Sequence, residues 1–215
     1  VLQTNIANTL GALGRHDEAI ARHRRVRGAW DQMFPEGIAA YVRQTDGSQI
    51  STTTRAEIEK TYARERLFST LNLASSLIAY QPKRTDLLHE ARSLLLDNMA
   101  DAQRVLGPSH EAMLMWRSNY AKTFYYDEGA SDDDLRKANE IADDIESIAR
   151  QHLGEYHPLT GMFERLGYDS DSEHSDSEST VDGGAPPEPD ADHDVARTMQ
   201  DEINVDDARG RPEFN

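Results

Sequence analysis

The chain contains no cysteine, which excludes a disulfide framework, a thiolate metal site and a cysteine nucleophile. Long apolar runs are missing as well. No stretch approaches the roughly 18 consecutive apolar residues of a membrane-spanning helix. Hydrophobic residues make up 37% of the chain and aromatic ones 7%, against about 45–50% apolar in an ordinary globular domain. Basic charge is also short: 23 Lys and Arg stand against 39 Asp and Glu, a net of −16 over 215 residues. Nucleic acids and anionic membranes are bound through a basic footprint, so this balance argues against both as partners.

The deficits are concentrated at one end. Residues 1–168 hold 20 basic and 24 acidic residues, whereas residues 169–215 hold 3 and 15. The later segment opens Asp169-Ser170-Asp171-Ser172-Glu173, and Phe214 is its one aromatic residue. Such a composition buries too little apolar surface to offset its ordering entropy, which predicts a disordered acidic C-terminal tail over 169–215. Its opening is similar to the start of a calcium loop, but His174 and Thr180 stand where Gly and Glu are required. Ser170 and Ser175, each with an acid three residues on, fit the pattern of acid-directed kinases. With most of the excess charge in this tail, the case against nucleic acid is firm for 169–215 and softer for 1–168.

Helical periodicity dominates residues 1–168. Leu87, Leu88, Ala91, Leu94, Leu95, Ala102 and Val105 form one stripe between Thr85 and Leu106, which ends at Gly107-Pro108. Leu135, Ala138, Ile141, Ala142, Ile145, Ile148 and Ala149 form another, with Ser131 as N-cap, Asp132–Asp134 in the first turn and Gly154 as stop. β-branched alternation is nearly absent. The expectation is an all-α chain.

The helices repeat. Aligning Asn72-Leu73-Ala74 with Asn119-Tyr120-Ala121 sets an offset of 47, and that offset also carries Ala91 to Ala138, Leu106-Gly107 to Leu153-Gly154, and His110 to His157. A third copy lies upstream at Asn5-Ile6-Ala7 and Gly14-Arg15-His16-Asp17-Glu18-Ala19. Each unit is a helix–turn–helix that must stack on its neighbour to bury its apolar face. Alanine at 7, 74 and 121, facing alanine at 19, 91 and 138, allows the two helices of a unit to approach closely.

NIANTLGALGRHDEA, together with Leu153-Gly154-Glu155-Tyr156-His157-Pro158 and Leu106-Gly107-Pro108-Ser109-His110, resembles the tetratricopeptide repeat of the kinesin light chain type. The resemblance covers about residues 2–166. It implies a right-handed α-α superhelix of tandem units, about 2–34, 62–108 and 112–158, whose inner groove binds peptides. The departures mark a divergent relative. His16 stands where Tyr is usual, Glu111 replaces the final Pro of one ending, and Phe34-Pro35-Glu36-Gly37 replaces another. An extra segment, about 37–61, precedes the second unit. Its Thr45–Thr54 portion reads as a loop, with a helix from Ala56 onward.

Asn5, Asn72 and Asn119 recur two positions before the packed alanines, about 200° away on the helical wheel, toward the groove. An amide supplies both donor and acceptor, so a row of them suits an extended peptide backbone, as the resemblance also implies. The competing reading is that each Asn holds the spacing between units. Asn8 and Lys122 point the same way. The basic run Arg22-His23-Arg24-Arg25-Val26-Arg27 is either a solvated face or a receiver for acidic segments, the tail included.

No H-E-x-x-H, G-x-S-x-G or Gly-rich phosphate loop is present. His16 and His23 share one helix without a third metal ligand, and His110 and His157 repeat in connecting turns, where a turn-stabilising role is expected. The sequence thus predicts a cytoplasmic, non-catalytic scaffold with protein or peptide partners, without cofactor, metal or small-molecule substrate. The alternative is a C-terminal regulatory or structural piece of a larger protein whose activity lies upstream of Val1, where a helical pattern is already under way.

Overall fold

The computed structural model describes residues 2–33, 52–80 (side chains from residue 56) and 83–166. These residues form seven helices: α1 Leu2–Ala12, α2 His16–Met33, α3 Thr52–Ile78, α4 Thr85–Leu106, α5 Glu111–Tyr125, α6 Asp132–His152 and α7 Pro158–Leu166. Among the described residues there is no strand. The expected tail over 169–215 and most of the extra segment over 37–61 lie outside them.

Local chemistry accounts for the helix ends. α4 begins and ends where its apolar stripe does, and Gly107, at φ 92°, closes it by donating its N–H to the Gln103 carbonyl at 3.0 Å. Ser131 caps α6 in a reciprocal box: its Oγ accepts from the Asp134 N–H at 3.2 Å, while the Asp134 carboxylate accepts from the Ser131 N–H at 3.3 Å. Gly154, at φ 98°, takes the backbone out of the same helix. One boundary differs from expectation. α3 starts at Thr52 rather than near Ala56, so the end of the Thr-rich stretch is helical and α3 runs for 27 residues. The ring of its Tyr62 meets Trp30 of α2 edge-on at 6.0 Å, a contact between segments that local propensity does not reveal.

Each helix packs on the next in sequence, and the odd-numbered helices also pack on one another, α1 on α3, α3 on α5 and α5 on α7. The even-numbered helices lie across this layer, each bridging two odd-numbered neighbours. The six alanines at 7, 74, 121, 19, 91 and 138 are all fully buried, as are Ala102 and Ala149, which are again 47 apart. A methyl side chain at these places lets the helix backbones come close without a cavity. One apolar cluster runs from Ile20 through α3 and α4 to Trp116, and a second joins α5, α6 and α7. Met115 and Tyr120 pack against both, which makes the core continuous along the array.

Candidate functional site

The five residues expected to face a groove do not share one environment. Asn72 and Asn119 are buried, 4% and 5% exposed. Asn119 Nδ2 donates to Ser75 Oγ on α3 at 2.8 Å, tying the first helices of two successive units. Asn5, Asn8 and Lys122 are half-buried. Asn8, Ser75 and Lys122 are equivalent positions on α1, α3 and α5, so the odd-helix layer presents Asn8 and Lys122 with Ser75 between them. The neighbouring first helix sets the depth of Asn119.

The repeated histidines hold turns. His110 Nδ1 accepts from the Ala112 N–H at 3.1 Å, and His157 Nδ1 accepts from the Leu159 N–H at 3.3 Å. His110 Nε2 lies 2.9 Å from Arg64, while His157 Nε2 lies 3.7 Å from Glu111, which is the position equivalent to Arg64. A neutral imidazole has one acceptor nitrogen, so His110 can serve the Ala112 N–H or Arg64 but not both. Burial, and then the adjacent Arg64 charge, hold its pKa below the usual histidine range.

A polar clamp that sequence reasoning missed joins α4 to the end of α5. Arg92 donates to the Thr123 carbonyl at 2.6 Å, to Thr123 Oγ1 at 3.2 Å and to Asp127 Oδ2 at 3.0 Å, and its guanidinium lies 3.9 Å from the Phe124 ring centroid. His89 meets the same Asp127 oxygen at 3.1 Å, and the Gly129 N–H donates to the other at 3.2 Å. Burial alone pushes the Asp127 carboxyl up, but the Gly129, Arg92 and His89 hydrogen bonds outweigh it and hold the pKa below the ordinary carboxylate range. No local signal reveals this clamp, because Arg92 and Asp127 are 35 residues apart.

Part of the basic run on α2 is engaged within the fold. Arg24 pairs with Glu90 of α4, Arg27 with Asp31, and Arg22 donates to Gln3. His23 is turned inward, 1% exposed, and neither ring nitrogen has a partner. Desolvation lowers its pKa to about 4, so the ring is neutral at pH 7. Aligning Ala19 with Ala91 places His23 at the position of Leu95, which is fully buried.

Among the described residues no group of three or more His, Asp or Glu side chains is placed to hold a metal ion, and no helix is long and apolar enough to cross a membrane. Set against protein-family models, curated proteins and solved structures, the chain matches none of them.

Proposed function

We propose that this chain is a non-catalytic protein–protein interaction scaffold, a right-handed superhelix of tetratricopeptide-like units that binds peptide segments of partner proteins along its odd-numbered helices. The observation that carries this reading is the reuse of one register for one role. The pairs Ala74/Ala121, Ala91/Ala138 and Ala102/Ala149 are buried alike, Gly107 and Gly154 turn the chain alike, and His110 and His157 cap alike, all 47 residues apart. A chain built of equivalent units generates an extended, repetitive surface, the form that suits an extended peptide.

Asn5, Asn8 and Lys122 are the accessible members of the proposed contact row. Asn72 and Asn119 serve it from within, Asn119 by fixing the spacing of α3 and α5 through Ser75. The polar clusters favour a scaffold over a catalyst, since Arg92, Asp127 and Thr123 are occupied in joining units. A displayed peptide library selected on the full chain tests the reading. Selected peptides should bind Asn8→Ala plus Lys122→Ala roughly tenfold more weakly, about 1.4 kcal/mol. Failure to select any peptide, or undiminished binding by the double variant, contradicts it.

A further inference from the structure

The alignment of Ala19 with Ala91 places two polar residues of α2, His23 and Arg27, where α4 has Leu95 and Met99. Leu95 is fully buried and Met99 packs in the same apolar cluster, which spans α3, α4 and Trp116 of α5. His23 is buried as deeply as the leucine it replaces, and the Arg27 side chain is 13% exposed. Both ring nitrogens of His23 and Nε of Arg27 are buried without a hydrogen-bond partner. Each of these atoms lost its water on folding and gained nothing in exchange, a desolvation cost at places where the next unit has apolar side chains.

Other features of the junction between α2 and α3 are also weaker than their counterparts between α4 and α5. Trp116 Nε1 donates to the Leu95 carbonyl at 3.0 Å, and Arg92 reaches Thr123 and Asp127. The equivalent residues are Ser69, whose Oγ donates to the Arg66 carbonyl of its own helix at 2.8 Å, and Ile20. Ile20 joins the apolar cluster of α3 and α4, whereas Ala7, Leu10 and Ala19 are buried outside it. Nearer the surface Asp31 meets Arg66 at 3.7 Å, and Trp30 meets Tyr62 edge-on.

The charges around this junction offer a proton on His23 no compensation. α1 carries no charged residue. On α2, Asp31 is taken by Arg27 and Arg66, and Glu18 by Arg15, while Glu90 of α4 is taken by Arg24. The α3 acids Glu57, Glu59 and Glu65 do not act on the ring either, because burial is the one cause that lowers its pKa to about 4. A proton taken up in place would sit in the packed interior one turn from the Arg27 guanidinium, whereas water can solvate it once the ring is exposed.

We propose that protonation of His23 opens the junction between α2 and α3, releasing α1 and α2 together while the later helices stay packed, so that the array carries an acid-operated hinge. Released from packing, α1 and α2 lose the main source of their helical stability, and their amides exchange with solvent.

Amide hydrogen exchange of the full chain, at about pH 7.5 and about pH 5 and corrected for the pH dependence of free amides, tests the hinge. A folded pKa of about 4 against 6.5 should raise the opening equilibrium of α1 and α2 roughly 30-fold at the lower pH, with α6 changed little. His23→Leu should abolish the increase. His23→Gln keeps a polar side chain in the junction but cannot take up the proton, so α1 and α2 should open equally at both pH values. No increase in the parent, an increase of equal size in every helix, or an increase retained by His23→Gln overturns the proposal. So do α1 and α2 amides that already exchange like free peptide at the higher pH.

Discussion

His110 and His157 stand 47 residues apart and cap in the same way, each accepting through Nδ1 the backbone N–H two residues further on, at 3.1 and 3.3 Å. Removing either acceptor leaves a helix-start N–H without its protein partner. His110→Ala or His157→Ala should each cost about 1 kcal/mol, read as a shift in the denaturant midpoint at unchanged slope, and His110→Asn should recover most of it. Melts identical to the parent would show that these imidazoles do not hold the turns.

The clamp between α4 and α5 should cost more to break. Asp127→Ala leaves Arg92 facing a half-buried site without its carboxylate, a loss on the order of 3 kcal/mol. The Asp127 pKa is depressed in the fold, so its contribution is present above the unfolded carboxylate pKa and is lost as pH falls through the lower folded value. Chemical denaturation as a function of pH checks this. The parent should lose stability below about pH 4 more steeply than Asp127→Ala, and coincident curves would contradict the assignment.

His23 acts in a higher pH window. Its folded pKa is about 4 against 6.5 for an ordinary histidine, so the unfolded chain binds the proton more readily. Stability should be level above pH 6.5 and fall between there and pH 4, by about 3 kcal/mol. Burial and the proximity of Arg64 at His110 add in the same direction. His23→Leu, the residue found at the equivalent Leu95, should stabilise the chain and remove most of that slope. A variant that keeps the full slope would show that His23 is not its source.

How much was legible in the sequence depends on whether the signal was local. The bounds of α4 and the stop at Gly107 follow from one stripe and one glycine. The N-cap at Ser131 and the turn role of His110 and His157 were readable for the same reason, since each contact spans two or three residues. The early start of α3 was not, because its Thr-rich opening carries a loop signature. Depth was hidden as well: the 200° wheel argument places Asn72 and Asn119 on a side, but both are buried, Asn119 where α5 packs on α3. His23 looked like part of a basic face and is instead a core side chain, because periodicity marks the position as inward while residue type marks it as polar.

The close helix contacts make a further prediction. Ala74 and Ala138 are fully buried, so Ala74→Leu or Ala138→Leu should overpack the helix pair and cost about 1–3 kcal/mol. Far-UV circular dichroism melts measure this, with a lowered Tm expected for both. An unchanged Tm would mean that the helices do not meet at alanine.

The most direct test of the scaffold reading is amide hydrogen exchange of the full chain with and without a peptide selected from a library. Added protection is predicted along the odd-numbered helices, centred on Asn5, Asn8 and Lys122, with α2, α4 and α6 changed little. Protection confined to the even-numbered helices, or to none of the seven, would contradict it.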